Sequence, residues 1–197
     1  FPAKTSGVAV SSERSGDPCA AIVSTWKGVV AWSYGVVPLV NVDATPGRVT
    51  ENVPCGVSGA RDARLVRQQW PDAEPQAAAI AGTRLHALEG VVQVEVVHAR
   101  YDAELGDYDG EFIWHNSSED DEHIAAYGVG GSPACWMQVG YATGYVSTLF
   151  GRMIVFREVE CRSSGAAHCR VIGKSAERWD DPEQDLFYLN AQDFVGT

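Results

Sequence analysis

Met153-Ile154-Val155-Phe156-Arg157-Glu158-Val159-Glu160-Cys161-Arg162-Ser163-Ser164-Gly165-Ala166-Ala167-His168-Cys169-Arg170-Val171-Ile172-Gly173 reads as two strands joined by a donor-rich loop. Residues 153–160 alternate as a half-buried strand does, and Cys169 to Gly173 reads as a short strand paired with it. Glu158 and Cys161 lie at the end of the first strand, and the loop from Arg162 to His168 returns Cys169 to the same place. A third thiol, Cys135, arrives from the first turn of a helix announced by Pro133. Three thiols and a carboxylate are what a tetrahedral Zn²⁺ site needs, and thiolates select zinc over harder cations. Four protein ligands leave no open position for water, so such a site is structural. The competing reading is three unrelated buried cysteines, since free Cys is often buried, and spacing alone does not separate the two. His168 is a rival fourth ligand, but as the neighbour of Cys169 it points to the other side of the strand, which favours Glu158. Cys19 and Cys55 have no partners at metal spacing.

Working outward, residues 133–150 form an amphipathic helix, with Gly140, Ala142 and Gly144 suited to close packing. Before it, Asn116-Ser117-Ser118-Glu119-Asp120-Asp121-Glu122 opens a helix. Hydroxyl caps come first, and acids in the first turn complement the positive helix end. That helix runs to about Tyr127 and stops at Gly128. The β-branched run Val91 to Val97 predicts a strand, Gly106 to Gly110 a turn, and Glu111 to His115 its antiparallel partner. Helical patterns cover Ser58 to Trp70, stopped by Pro71 and Pro75, and Ala77 to Leu88, where Gly82 weakens the signal. Residues 22–42 read as short strands and turns, and Trp179 onward as a terminal helix or tail.

The chain has 197 residues, 45% of them hydrophobic, enough for one domain with a sizeable core. No apolar run reaches the length of a membrane span, and no basic region precedes an apolar one as in a secretory signal. Net charge is −11. The charges of residues 1–55 cancel, so all of it lies beyond them. That argues against direct nucleic-acid contact by this segment, because phosphate binding needs a basic face. Five cysteines, an odd number, in this setting do not suggest a secreted disulfide scaffold, and metal thiolates fit a reducing, cytoplasmic compartment.

Several motifs together resemble one family. They are Gly82-Thr-Arg-Leu-His86-Ala-Leu-Glu-Gly90, Glu111-Phe-Ile-Trp114-His-Asn-Ser117, Pro133-Ala-Cys135-Trp-Met-Gln-Val-Gly-Tyr-Ala-Thr-Gly-Tyr145, Phe150-Gly-Arg-Met-Ile-Val-Phe156-Arg-Glu158, and Cys169-Arg-Val-Ile-Gly-Lys-Ser-Ala-Glu-Arg-Trp179. The chain is similar, over about residues 56–182, to the N-terminal effector-sensing domain of the sigma-54-dependent, NtrC-class activators that respond to aromatics. These are the phenol and xylene regulators of the DmpR, MopR and XylR type, with a 4-vinyl-reductase-like fold.

The resemblance implies an α+β domain. A mixed or antiparallel sheet and its helices would surround an apolar ligand cavity, with a zinc-stapled C-terminal hairpin. It implies zinc on Cys135, Glu158, Cys161 and Cys169, and a phenolic hydroxyl held by His86 and Trp114. A neutral imidazole can accept the phenol proton while an indole N–H donates to its oxygen, which spares a buried hydroxyl a cost of roughly 1–3 kcal/mol. Apolar and aromatic residues should line the rest: Ile80, Val91, Val94, Val96, Phe112, Tyr141, Tyr145, Val155 and Phe156. Taken alone, His86 reads as a core histidine and Trp114 as core packing. Ala79 stands where phenol sensors carry phenylalanine, and Phe156 where some carry tyrosine. Both changes predict a roomier, less polar pocket that tolerates larger aromatics.

In the family, a helical segment with an Arg-Met-Leu stretch precedes this domain and supports a homodimer. Residues 1–55 lack that stretch, and residues 183–197 read as a tail or linker toward an absent ATPase domain. With no Walker motif or evident helix-turn-helix, the chain is expected to be the sensor alone: it binds phenol or a related aromatic and relieves repression of the ATPase domain. The alternatives are a structural zinc module that binds a protein partner, or a zinc enzyme acting on small aromatics. A closed metal site and the lack of a positioned acid–base pair weigh against the enzyme.

Overall fold

The computed structural model describes residues 46–181. Expectations for residues 22–42, for Cys19, and for the tail after 181 lie outside the described residues. Helix α1 spans Pro46–Gln69 and α2 spans Pro75–Leu88. Strands β1 (Gln93–Asp102) and β2 (Asp107–His115) follow, then α3 (Ser118–Tyr127) and α4 (Trp136–Phe150). Strands β3 (Ile154–Glu160) and β4 (Cys169–Ser175) close the domain. The four strands form one sheet in the order β1-β2-β4-β3, every neighbouring pair antiparallel. The fold class is α+β.

Local chemistry explains most boundaries. Pro75 starts α2 at a position where no N–H is needed. The Ser117 hydroxyl accepts the Asp120 N–H at the start of α3, and Gly128 ends that helix. Two strand limits differ from expectation. The β1–β2 turn occupies residues 103–106, where Asp102 Oδ1 accepts the backbone N–H groups of Glu104 and Leu105 at 2.9 and 3.0 Å. Residues 107–110, read as turn, are therefore the start of β2. Gly110 marks close approach rather than a bend: a Cβ there would lie 2.8 Å from both the Tyr108 hydroxyl and the Phe112 ring. Helix α1 also begins well before Ser58.

One sheet face carries the interior. Alternation along β2 puts Tyr108, Gly110, Phe112 and Trp114 on it, all buried. A bulge between Val96 and His98 shifts the β1 register, so Val94 and Val96 face inward before it, and Ala99 and Tyr101 after it. Phe156 of β3 and Val171 and Cys169 of β4 complete the face. Helix α4 lies against it, fastened to β3 where Phe156 N–H donates to Thr143 Oγ1 at 3.2 Å and Ile154 N–H to Ser147 Oγ at 2.9 Å. Helix α1 packs closely on α4: a Cβ on Gly59 or Gly144 would strike the backbone of the opposing helix.

Candidate functional site

A cavity of about 260 Å³ opens between α2, α4 and the inner sheet face. All eight residues expected to line it do so: His86, Trp114, Ile80, Val96, Phe112, Tyr141, Tyr145 and Phe156. Val94 also lines it. Val155 does not: its side chain faces the other way and packs with Ala60 and Ala176. Val91 packs against the core without reaching the cavity. Apolar character, which suggested both residues for the wall, does not reveal the face. Sequence reading missed Gln76, Thr83, Ala99, Arg100, Tyr101, Tyr108 and Phe150, which also border the space. The period-2 pattern of β2, continued back to 107, would have found Tyr108. Ile80 and Val96 are 44% and 42% exposed, so the mouth lies between α2 and the edge strand β1.

Most polar atoms in the wall are already satisfied. Tyr145 Oη donates to the Ala78 carbonyl at 2.7 Å, and Tyr141 Oη donates to Asp62 Oδ2 at 3.0 Å. Gly82, which weakened the helix signal, admits the Tyr145 ring: a Cβ there would lie 2.7 Å from it. His86 sits in the last turn of α2 with its ring centroid 4.0 Å from that of Tyr141. Burial pushes its pKa from 6.5 down to about 4, so it is neutral near pH 7. No side-chain hydrogen bond to His86 or to the Trp114 indole occurs among the described residues. A neutral imidazole and an indole N–H thus remain available at one end of an apolar space.

A second group of polar side chains lies at the Trp114 end of the sheet, where Trp114 pairs directly with Cys169. Cys135, the N-cap of α4, and Cys161 and Cys169, at the two ends of the β3–β4 loop, are all fully buried. Cys135 Sγ is 3.8 Å from Cys169 Sγ, which is 3.7 Å from Cys161 Sγ. The side chain that shares one cluster with the three thiols, all donor atoms within 4.8 Å of one another, is Asp120 of α3. Sequence reading missed Asp120, because nothing distinguishes it from the other first-turn acids of its helix. Its Oδ1 accepts the Ser163 N–H at 2.9 Å and lies 3.3 Å from Cys161 Sγ, while Oδ2 is buried without a hydrogen-bond partner.

Glu158, expected as the fourth donor, flanks the group. Its Oε2 accepts the Cys135 N–H at 3.1 Å, and its Oε1 is buried without a partner. Burial, reinforced by Cys161, pushes Glu158 up to about 8, and burial with a hydrogen bond from Cys161 pushes Asp120 up to about 6. The Cys161 thiol is held low by hydrogen bonds from Cys135 and Cys169. His168 points away, 3.4 Å from Glu160, at the surface.

The donor set fits zinc. Arms of about 2.3 Å in a tetrahedron give S···S edges of about 3.8 Å, close to the two spacings found. Two orphaned carboxylate oxygens beside three buried thiols describe a place that a soft divalent cation would complete.

A cavity over an antiparallel sheet, with polar groups confined to one end, defines a small-molecule sensing domain. The comparisons agree. Residues 114–175 match the 4-vinyl-reductase-type domain family, and residues 56–102 match the family described as activator of aromatic catabolism. The chain is 34% identical over 139 residues to the phenol regulator MopR of Acinetobacter guillouiae, covering 70% of this chain and 25% of that protein. It is 35% identical over 138 residues to the transcriptional regulatory protein XylR of Pseudomonas putida, covering 70% of this chain and 24% of that one. It thus spans about a quarter of these relatives. The crystal structure of the phenol-responsive sensory domain of the transcription activator PoxR with phenol superposes with a TM-score of 0.68 at 40% identity, covering 73% of this chain and 72% of that one. The chain belongs to the N-terminal aromatic-effector sensing domains of sigma-54-dependent transcription activators. These relatives are regulators, and the domain is a regulatory rather than an enzymatic one.

Proposed function

We propose that this chain binds phenol or a related small aromatic in the cavity, with the hydroxyl held between His86 and Trp114. The observation that carries this reading is the placement of two unpartnered polar groups at one end of an otherwise apolar space. A ring buries its faces against Phe112, Phe156 and Tyr145, while its hydroxyl donates to the neutral imidazole and accepts from the indole. A dry cavity of about 150 Å³ is enough to take up benzene, so 260 Å³ leaves room for substituents. Ala79 on the wall supports the same tolerance. Isothermal titration tests the reading: phenol should bind at about one per chain, with toluene weaker. Toluene binding as tightly as phenol would remove the polar assignment.

Zinc held by Cys135, Cys161, Cys169 and one carboxylate would act as a structural staple between α4 and the β3–β4 hairpin. Glu158 is the proposed fourth ligand. Its free Oε1 has no other task, whereas Asp120 already holds the loop through Ser163. Glu158→Gln should release metal and Asp120→Asn should retain it; the reverse would assign the ligand to Asp120. In the full regulator, occupancy of the cavity would favour one of two states and relieve a downstream ATPase domain, which requires different ligand affinities in those states. A homodimer and a cytoplasmic location complete the proposal, the latter because reduced thiols suit a reducing compartment. No helix among the described residues is long and apolar enough to cross a membrane.

A further inference from the structure

The cavity extends well beyond its His86–Trp114 end. Tyr108 lies six residues back along β2 from Trp114, and its ring folds over Gly110, where the missing Cβ leaves room for the hydroxyl. Trp114 and Gly110 are four positions apart, roughly 13 Å along a strand. On the opposite wall His86 and Gln76 are ten positions apart, roughly 15 Å along a helix. A single phenol ring anchored at His86 does not cross that length.

Tyr108 is 3% exposed, and its ring packs against Phe150 and Phe156, with centroids at 5.7 and 5.9 Å. Its backbone N–H is satisfied by Ser175, but no partner for its hydroxyl lies among the described residues. Tyr141 and Tyr145, in the same wall, have both found acceptors. A buried, unpartnered hydroxyl bordering a cavity is a group left for a ligand to satisfy.

We propose that Tyr108 is a second polar anchor. It would select phenols elongated opposite their own hydroxyl and ending in a hydrogen-bonding atom. This rests on the aromatic-sensing reading above. His86 and Trp114 fix the phenolic end, Phe112 and Phe156 flank the middle, and Tyr108 reads the distal end.

Two matched ligand pairs test it by calorimetric titration: 4-(2-hydroxyethyl)phenol against 4-propylphenol, and 4,4′-dihydroxybiphenyl against 4-hydroxybiphenyl. Each pair has similar shape and differs at the distal polar atom. Wild-type chain should favour the polar member, relative to each compound's partition from water, by about three- to tenfold in at least one pair. Tyr108→Phe, which removes one oxygen and keeps the ring, should abolish that preference and change phenol affinity less than about twofold. Equal binding within both pairs, or a preference that survives Tyr108→Phe, overturns the anchor while phenol binding stands. Failure of phenol itself to bind would overturn the sensing reading and the anchor together.

Discussion

The two ends of the inner sheet face differ in what they leave unfinished. The cavity is apolar and keeps a few neutral polar groups without partners. The thiol cluster is the opposite: three sulfurs and two carboxylates crowd together, with Asp120 Oδ2 and Glu158 Oε1 unsatisfied. The first suits a neutral aromatic with one hydroxyl, and the second suits a cation. They meet where Trp114 pairs with Cys169, so the metal staple also sets the strand that presents the indole. One region is built for exchange of its occupant and the other for permanence.

The largest effect should come from breaking the permanent side. Cys169→Ser, or chelation of the native chain, should lower the thermal midpoint by more than about 10 °C or abolish cooperative unfolding, because metal-binding energy is here folding energy. Scanning calorimetry with metal analysis checks this, and a metal-free variant as stable as the native chain would refute the staple. Next, His86→Ala should weaken phenol by roughly tenfold or more while toluene changes far less, since only phenol loses a hydrogen bond. Equal losses in competition binding would remove His86 from that role.

Protonation of His86 separates the regions further. The folded chain takes up that proton near pH 4, and the unfolded chain near 6.5. Between those values the unfolded state binds more protons, so stability falls as pH falls, and above 6.5 the contribution is constant. Between pH 7 and 5 this amounts to about 2 kcal/mol. A His86→Phe variant should show a shallower loss in denaturant titrations, while loss of metal in acid affects both chains alike. Parallel pH profiles would contradict the buried neutral imidazole. The smallest effect should be that of Ala79→Phe, which fills space at the wall. It should leave phenol within about threefold and weaken bulky phenols more. Uniform loss across ligand sizes, read by titration, would count against a roomy pocket.

The contrast also separates what sequence could reveal from what it could not. Helix α3 was legible because its signals are local: Ser117 caps it, acids fill its first turn, and Gly128 stops it. The three thiols were legible because the hairpin spacing brings Cys161 and Cys169 together. Asp120 was not, since its place in the cluster depends on how α3 packs on the β3–β4 loop. Val155 was misplaced because its apolar character is compatible with either sheet face, and packing with Ala60 decides which one. The start of β2 was hidden by Gly110, whose absent side chain serves Tyr108 and Phe112 rather than a turn. Of the cavity, the β2 alternation and the two polar groups could be read directly, but the bulge at Val96–His98 that admits Ala99 and Tyr101 could not.

The most direct test is the indole N–H resonance of Trp114 in a ¹⁵N-labelled, zinc-loaded chain, assigned by its loss in Trp114→Phe. Saturating phenol should move it downfield, as expected for a new hydrogen bond, and the shift should vanish with toluene. An unmoved resonance with phenol bound, or the same shift with toluene, would contradict a hydroxyl held between His86 and Trp114.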